Sequence, residues 1–176
     1  MIKQKPSVLK FFVLGIFLVL VGIYIFSFKQ NQTVQIVPSP SPILNAIEGQ
    51  ITYAKVTRVI DGDTIVIDTG QHVRYIGMNT PEIETLECYA TEASEINKNL
   101  VLGKVVKLEK DVSETDKYSR LLRYVYIDDT FVDDELIRDG SAKVETVSPD
   151  TKYKDEFLES QNYAKENKLG LWRKCP

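Results

Sequence analysis

The chain has 176 residues, 43 % of them apolar, which is room for one globular domain and an appendage. Its net charge of −3 is unevenly spread: residues 1–30 hold Lys3, Lys5, Lys10 and Lys29 and no acid, whereas from Glu48 onward 18 basic residues face 25 acidic ones, a balance of −7. That balance excludes a binder that holds polyanions by overall charge, so any anionic substrate must be gripped locally.

In chain order, residues 1–10 form a basic leader. Phe11 to Phe28 is an uncharged run of 18 residues, just long enough as a helix to span a hydrocarbon core of about 30 Å. The preceding lysines orient it with the N-terminus in the cytoplasm and the remainder outside. The alternative is a cleaved signal peptide and a secreted product, but the exit reads Tyr24-Ile25-Phe26-Ser27-Phe28, with large residues where cleavage wants small ones. A single-pass anchor in the cell membrane is the expectation, with membrane contact through that helix alone. Residues 29–49, with their Pro-Ser-Pro-Ser-Pro run, read as an extended spacer, and 50–176 as the exported domain, expected to be a monomer. Disulfides persist outside the cytoplasm, so Cys88 and Cys175 are expected to pair rather than stay free. The bridge would close a loop of about 87 residues, worth roughly 4–5 kcal/mol.

Tyr53 to Ile60, Thr64 to Ile67 and Val73 to Met78 have strand character. The turns Asp61-Gly62-Asp63 and Asp68-Thr69-Gly70-Gln71 join them into an antiparallel meander. The period then changes: Thr91 to Leu102 sets Ala93, Ile96, Leu100 and Val101 at helical spacing, and Gly103 ends the helix. Val105 to Leu108 and Leu121 to Ile127 are two more strands, flanking a polar loop from Lys110 to Arg120. Helices are expected over Phe131 to Arg138 and Tyr153 to Asn167. This order fits an α+β fold, a five-stranded barrel of the OB type with three packed helices.

Chemistry gathers where strands end. Asp61-Gly62-Asp63 alone is ordinary turn punctuation. Asn79, Thr80 and Glu82, however, end the third strand, so hard oxygen donors from two strand ends can converge on a Ca²⁺ ion. One histidine and two distant cysteines leave no transition-metal set. Arg74 and Arg120 can fork onto phosphate oxygens and neutralise charge growing at phosphorus, while Glu82 orients or deprotonates a water. His72, Tyr124 and Tyr126 carry no expected role. Trp172 is expected to cover the barrel base near Cys175, and Asp133-Asp134-Glu135 to be an acidic turn or helix start, where carboxylates favour the helix N-terminus.

Taken together, IDGDT, then R-x4-NTPE, then DKYSR, then LGLW resemble, in order and spacing, the thermonuclease (micrococcal nuclease) family from about Tyr53 to Trp172. The resemblance implies an OB-type barrel with three helices and Ca²⁺-dependent cleavage of DNA and RNA at the 5′ O–P bond, leaving 3′-phosphate ends. It makes Asp63 a metal ligand, Thr80 the donor of a ligating carbonyl, and Asp61 a carboxylate just outside them. It makes Arg74 and Arg120 the catalytic arginines, Glu82 the water-activating base, and Lys117 and Tyr118 contacts to a terminal phosphate. Two departures stand out. Asn79 replaces a second metal-binding aspartate, which predicts weaker Ca²⁺ binding. Glu145, Thr146 and Ser148 stand where the family often has base-stacking tyrosines, a task left to Tyr118. Some proteins of this fold only bind nucleic acid or protein; the full set Asp63, Arg74, Glu82 and Arg120 favours an enzyme over such a module.

Overall fold

The computed structural model describes residues 50–175. The expected membrane segment 11–28 and spacer 29–49 lie outside the described residues. Among the described residues, no helix is long and apolar enough to cross a membrane.

Strand β1 (Ile51–Val59) serves two neighbours. Its first half pairs antiparallel with β5 (Val105–Glu109) and its second half with β2 (Thr64–Ile67), and a register shift between Val56 and Arg58 marks the change. Such a bulge bends and twists a strand, which lets it turn from one sheet into the next. Strand β2 pairs with β3 (His72–Tyr75), β5 with β6 (Leu121–Ile127), and β6 with a short β7 (Thr130–Phe131), all antiparallel. A parallel pairing of β3 with β6, Arg74 opposite Leu122, closes the five strands into a barrel. This is the OB-type arrangement expected from the element order.

The interior follows from alternation. Val56, Ile65, Val73, Tyr75, Val106 and Leu108 are buried in one cluster, with Phe157 and Leu136 from the helices. Helix α1 (Ala90–Val101) buries Ala93 and Val101 as its spacing predicts, while Ile96 and Leu100 are half-buried. Asn97 is fully buried too. Its Oδ1 accepts the Tyr75 hydroxyl at 3.0 Å and its Nδ2 donates to the Asp61 carbonyl at 3.2 Å, so the helix holds the turn that carries Asp61. Helices α2 (Val132–Arg138) and α3 (Lys154–Glu166) pack on each other, and a single turn, α4 (Leu171–Lys174), follows.

One expectation is corrected. The third strand does not run unbroken to Met78. It stops at Tyr75, and β4 (Met78–Asn79) leaves the barrel to pair with β8 (Lys143–Val144). Gly77 makes the break, with φ +79°, a region open to glycine, and the Phe157 ring fills the space a Cβ would need. Asp133-Asp134-Glu135 opens the helix over Val132–Arg138 as expected, but Asp133 does not reach solvent. It is fully buried, with Oδ2 accepting the Val125 N–H at 2.8 Å and Oδ1 without a partner among the described residues. Burial pushes its pKa well above the carboxylate range. A carboxyl raised in this way is at its most favourable to folding below its unfolded pKa, and that stability is lost as pH rises towards the folded value. Asp133→Asn is therefore expected to stabilise the fold near neutral pH by roughly 1–3 kcal/mol, the ordinary cost of a buried group left unpaired. The gain should fade below about pH 4, as urea unfolding at several pH values will show.

Cys88 and Cys175 form the expected disulfide, with Cα atoms 5.8 Å apart. It ties the segment that follows Glu82 to the C-terminal turn.

Candidate active site

The turn between β1 and β2 brings Asp63 against the end of β4. Asp63 Oδ2 accepts the Thr80 N–H at 2.8 Å and the Thr80 hydroxyl at 3.1 Å, and Oδ1 accepts the Thr64 hydroxyl at 3.0 Å. This contact explains Gly62. A Cβ there would lie 2.5 Å from the Thr80 side chain, so the glycine is needed for close approach, beyond its role as turn punctuation. Asp61 supports the same turn, its Oδ1 accepting the Asp63 N–H at 2.9 Å. Burial, then the neighbouring Asp63 charge, push its pKa up to about 6.

Arg74 ties the pieces together. Nε lies 3.1 Å from Asp63 Oδ1, Nη1 donates to the carbonyls of Tyr75 and Met78 at 2.8 Å each, and Nη2 donates to Asn79 Oδ1 at 2.7 Å. Four of five N–H groups are thus committed, and the two carbonyls lie on either side of the Gly77 bend. The guanidinium fixes the local backbone and keeps one N–H for a ligand.

Arg120 is held differently. Asp116 Oδ1 accepts the N–H groups of Tyr118 and Arg120 at 2.8 and 3.0 Å, and Oδ2 pairs with Arg120 Nε at 2.7 Å. Burial works against the Asp116 charge, but these bonds outweigh it and its pKa falls below the usual range. Of the Arg120 terminal nitrogens, Nη1 makes only a long 3.5 Å contact to Thr64 Oγ1, so both are left largely uncommitted among the described residues. Tyr118 is 67 % exposed, with Lys117 Nζ and Arg120 Cζ over its ring at 4.9 and 5.5 Å.

These groups open onto one cleft of about 560 Å³, lined by Arg74, Asn79, Glu82, Lys117, Tyr118 and Arg120 among others. Glu82 is exposed at its edge, and its carboxylate has no partner among the described residues. The far wall is Glu145, Val147, Ser148 and Asp150, so the positions where stacking tyrosines were missed present a carboxylate and a hydroxyl to the cleft. Of the expected site residues, Arg74, Asn79, Glu82, Lys117, Tyr118 and Arg120 line the cleft. Asp63 and Thr80 are buried, tied to it through Arg74 and Asn79, and Asp61 does not line it; His72 is exposed and outside. Trp172 is half-buried, flanked by Lys143 and Lys165.

Asp150 had no signal in the sequence. It is buried, and one of its oxygens accepts the N–H groups of Val112 and Ser113 at 2.9 and 2.8 Å, clamping the wall to the loop that carries Lys117 and Arg120. Burial raises its pKa less than these amides lower it, leaving it below the usual range. Asp111 adds a second stitch by accepting the Lys152 N–H at 3.1 Å. Asp150→Ala is expected to cost roughly 1–3 kcal/mol in stability and about tenfold in any activity that needs Arg120. Asp150→Asn keeps an acceptor and should restore most of both, measured by urea unfolding and turnover.

Asp63, Asn79 and Thr80 also pass a test of fit to a hard cation. Asp63 Oδ1 and Asn79 Oδ1 converge on one guanidinium, and the Thr80 carbonyl accepts no hydrogen bond among the described residues. The donors are all oxygen, as Ca²⁺ requires. Only one is a carboxylate, and no cluster of three or more acidic, histidine or cysteine side chains occurs among the described residues.

The barrel and its cleft, with guanidinium groups set beside hard oxygen donors and an unpaired carboxylate, define an OB-type protein equipped to handle phosphate esters. Residues 72–174 match the family described as staphylococcal nuclease homologue, and the chain belongs to that family. It is 38 % identical over 155 residues to Endonuclease YncB of Bacillus subtilis (strain 168), covering 83 % of this chain and 72 % of that one. It is 36 % identical over 128 residues to a Thermonuclease of Staphylococcus hyicus, covering 69 % and 75 %. A Thermonuclease of Staphylococcus intermedius is 35 % identical over 126 residues, covering 68 % and 75 %.

Proposed function

We propose that this chain is a Ca²⁺-dependent nuclease that hydrolyses phosphodiester bonds of DNA, RNA or both outside the cytoplasm, leaving 3′-phosphate ends. The observation that carries the reading is the meeting of two guanidinium groups and an unpaired carboxylate on one cleft: Arg74 from the barrel, Arg120 from the loop and Glu82 after β4. Relatives named as endonuclease and thermonuclease support the reaction class.

Glu82 takes a proton from a water as its oxygen bonds to phosphorus. The P–O5′ bond breaks in line, and the departing 5′ oxygen collects a proton to become the hydroxyl end. Arg120, held through Nε by Asp116 with its terminal nitrogens largely uncommitted, forks onto the phosphate oxygens as charge builds there. Arg74 adds its one uncommitted N–H. Lys117 and Tyr118 hold the neighbouring nucleotide. Asp63, Asn79 and the Thr80 carbonyl would hold Ca²⁺, which when bound supplies positive charge to the phosphate oxygens.

The location is supported by the uncharged run 11–28 behind its lysines and by the Cys88–Cys175 bridge, since disulfides persist in oxidising compartments. We read the chain as a monomer. The test is digestion of single- and double-stranded DNA and RNA by the full chain, with Ca²⁺ and with chelator. Ca²⁺-dependent cleavage with 3′-phosphate ends is expected; retained binding without cleavage under any condition makes the chain a binding module.

A further inference from the structure

Beside the cleft lies a cationic cluster that the reaction does not use. Lys143 is the ladder partner of Asn79 in the β4–β8 pair. Directly opposed residues of an antiparallel pair project to the same face with Cβ atoms about 5 Å apart. Asn79 turns to Arg74 and the cleft, so Lys143 stands on that same face, one position outward. Its Nζ lies 5.9 Å from the centre of the Trp172 ring, and Lys165 Nζ, from α3, lies 4.7 Å from it. Both lysines are exposed, and neither forms an ion pair among the described residues. Lys110, Arg120, Arg123 and Lys174, by contrast, each have a carboxylate partner.

Two ammonium groups, each within 5.9 Å of one indole and neither ion-paired among the described residues, make a local positive site in an acidic domain. The indole explains how they stay there: its π system attracts each of them weakly. That is enough to gather the ammonium groups and too little to keep them from a phosphate. The Trp172 Nε1 is buried without a partner, so the indole is anchored with its polar edge inward.

We propose that Lys143 and Lys165, organised by Trp172, form a second phosphate-binding site that holds the nucleic-acid strand beyond the nucleotide in the cleft. The ligand is a backbone phosphodiester, bound without regard to sequence. Lys117, Tyr118 and Arg120 grip the strand from the loop side, and Lys143 and Lys165 grip it past Asn79. The acidic domain thereby holds a polyanion along a path rather than by net charge. The inference rests on the nuclease reading above.

The test uses the full chain and its Lys143→Gln/Lys165→Gln variant, with a single-stranded DNA 12-mer and a dinucleotide. Each lysine on a phosphate contributes about 0.7 to the slope of log binding against log salt for a single strand. The slope for the 12-mer should therefore shrink by about 1.4 in the variant, and kcat/KM for the 12-mer should fall about tenfold at low salt. Dinucleotide cleavage should be unchanged, and Lys143→Arg/Lys165→Arg should behave as wild type. Equal losses on both substrates with a lowered Tm would mean that the lysines only shield the indole, and an unchanged slope would leave no subsite; either overturns the proposal. A wild-type chain that neither binds nor cuts either substrate overturns the nuclease reading instead.

Discussion

Arg74→Lys is expected to reduce turnover by about 10²–10³-fold although the charge is conserved, the scale of losing one pre-set donor to a developing oxyanion. The reason is the geometry of the donors. Arginine reaches Asp63, Asn79 and two backbone carbonyls at once because its nitrogens are spread over a rigid fork. An ammonium offers three donors from one point and cannot span these partners. The carbonyls of Tyr75 and Met78 would lose their shared donor, and the bend at Gly77 would be held only by its neighbours. Asp63 would keep a positive charge nearby, so the fold should survive while the alignment of Asn79 and Thr80 loosens. Turnover measured beside circular dichroism separates the two effects. Activity within threefold of wild type would show that charge alone matters at this position.

The same geometry shows what the sequence could and could not reveal. The barrel was legible because strand alternation, turn residues and helical spacing agree from Ile51 to Ile127, and the four motifs placed the cleft. Gly62 and Gly77 were visible as letters but not as reasons: one yields room to the Thr80 side chain, the other takes positive φ under the Phe157 ring. Neither contact is local, so no pattern of neighbours encodes it. Asn97 and Asp133 illustrate the opposite failure. Each is polar in a helix, where exposure is the default reading, yet each meets a buried backbone or hydroxyl group outside its helix, for Asn97 22 and 36 residues away. Asp150 is of the same kind. Its partners lie 37 and 38 residues away, and only the folded chain shows that it fastens one wall of the cleft to the other.

Those long contacts divide the site into parts with different demands. Asp61, held through Asn97, and Arg74 belong to the barrel, whose strands fix them. Lys117 and Arg120 belong to a loop that depends on Asp116 internally and on Asp150 externally. Glu82 sits on a third segment, whose backbone closes through Glu87 and which continues to the Cys88 bridge. Chemistry that needs Arg120 and Glu82 on one phosphate therefore depends on two fastenings outside the barrel. Loss of either should lower turnover as well as stability, even in molecules whose core cluster stays folded.

Asn79→Asp is expected to tighten Ca²⁺ binding by about tenfold or more, which corresponds to about 1.4 kcal/mol. At present the only carboxylate among the three candidate ligands is Asp63, and its charge is already matched by the Arg74 guanidinium. The Asn79 amide oxygen accepts from the same guanidinium at 2.7 Å. A carboxylate in its place would act on two cations. It would strengthen the bond to Arg74, which resists entry of the ion, and it would attract the ion itself. Coulomb energy scales with the product of the charges, so at equal distance a divalent ion gains twice what the guanidinium gains. The balance favours the ion. Calorimetric titration with Ca²⁺ alone, without substrate, measures this directly. Asn79→Ala, which removes the oxygen, should weaken binding in the same assay. An unchanged Kd in Asn79→Asp would mean that residue 79 does not ligate the ion, and the oxygen set would have to be completed from elsewhere in the cleft.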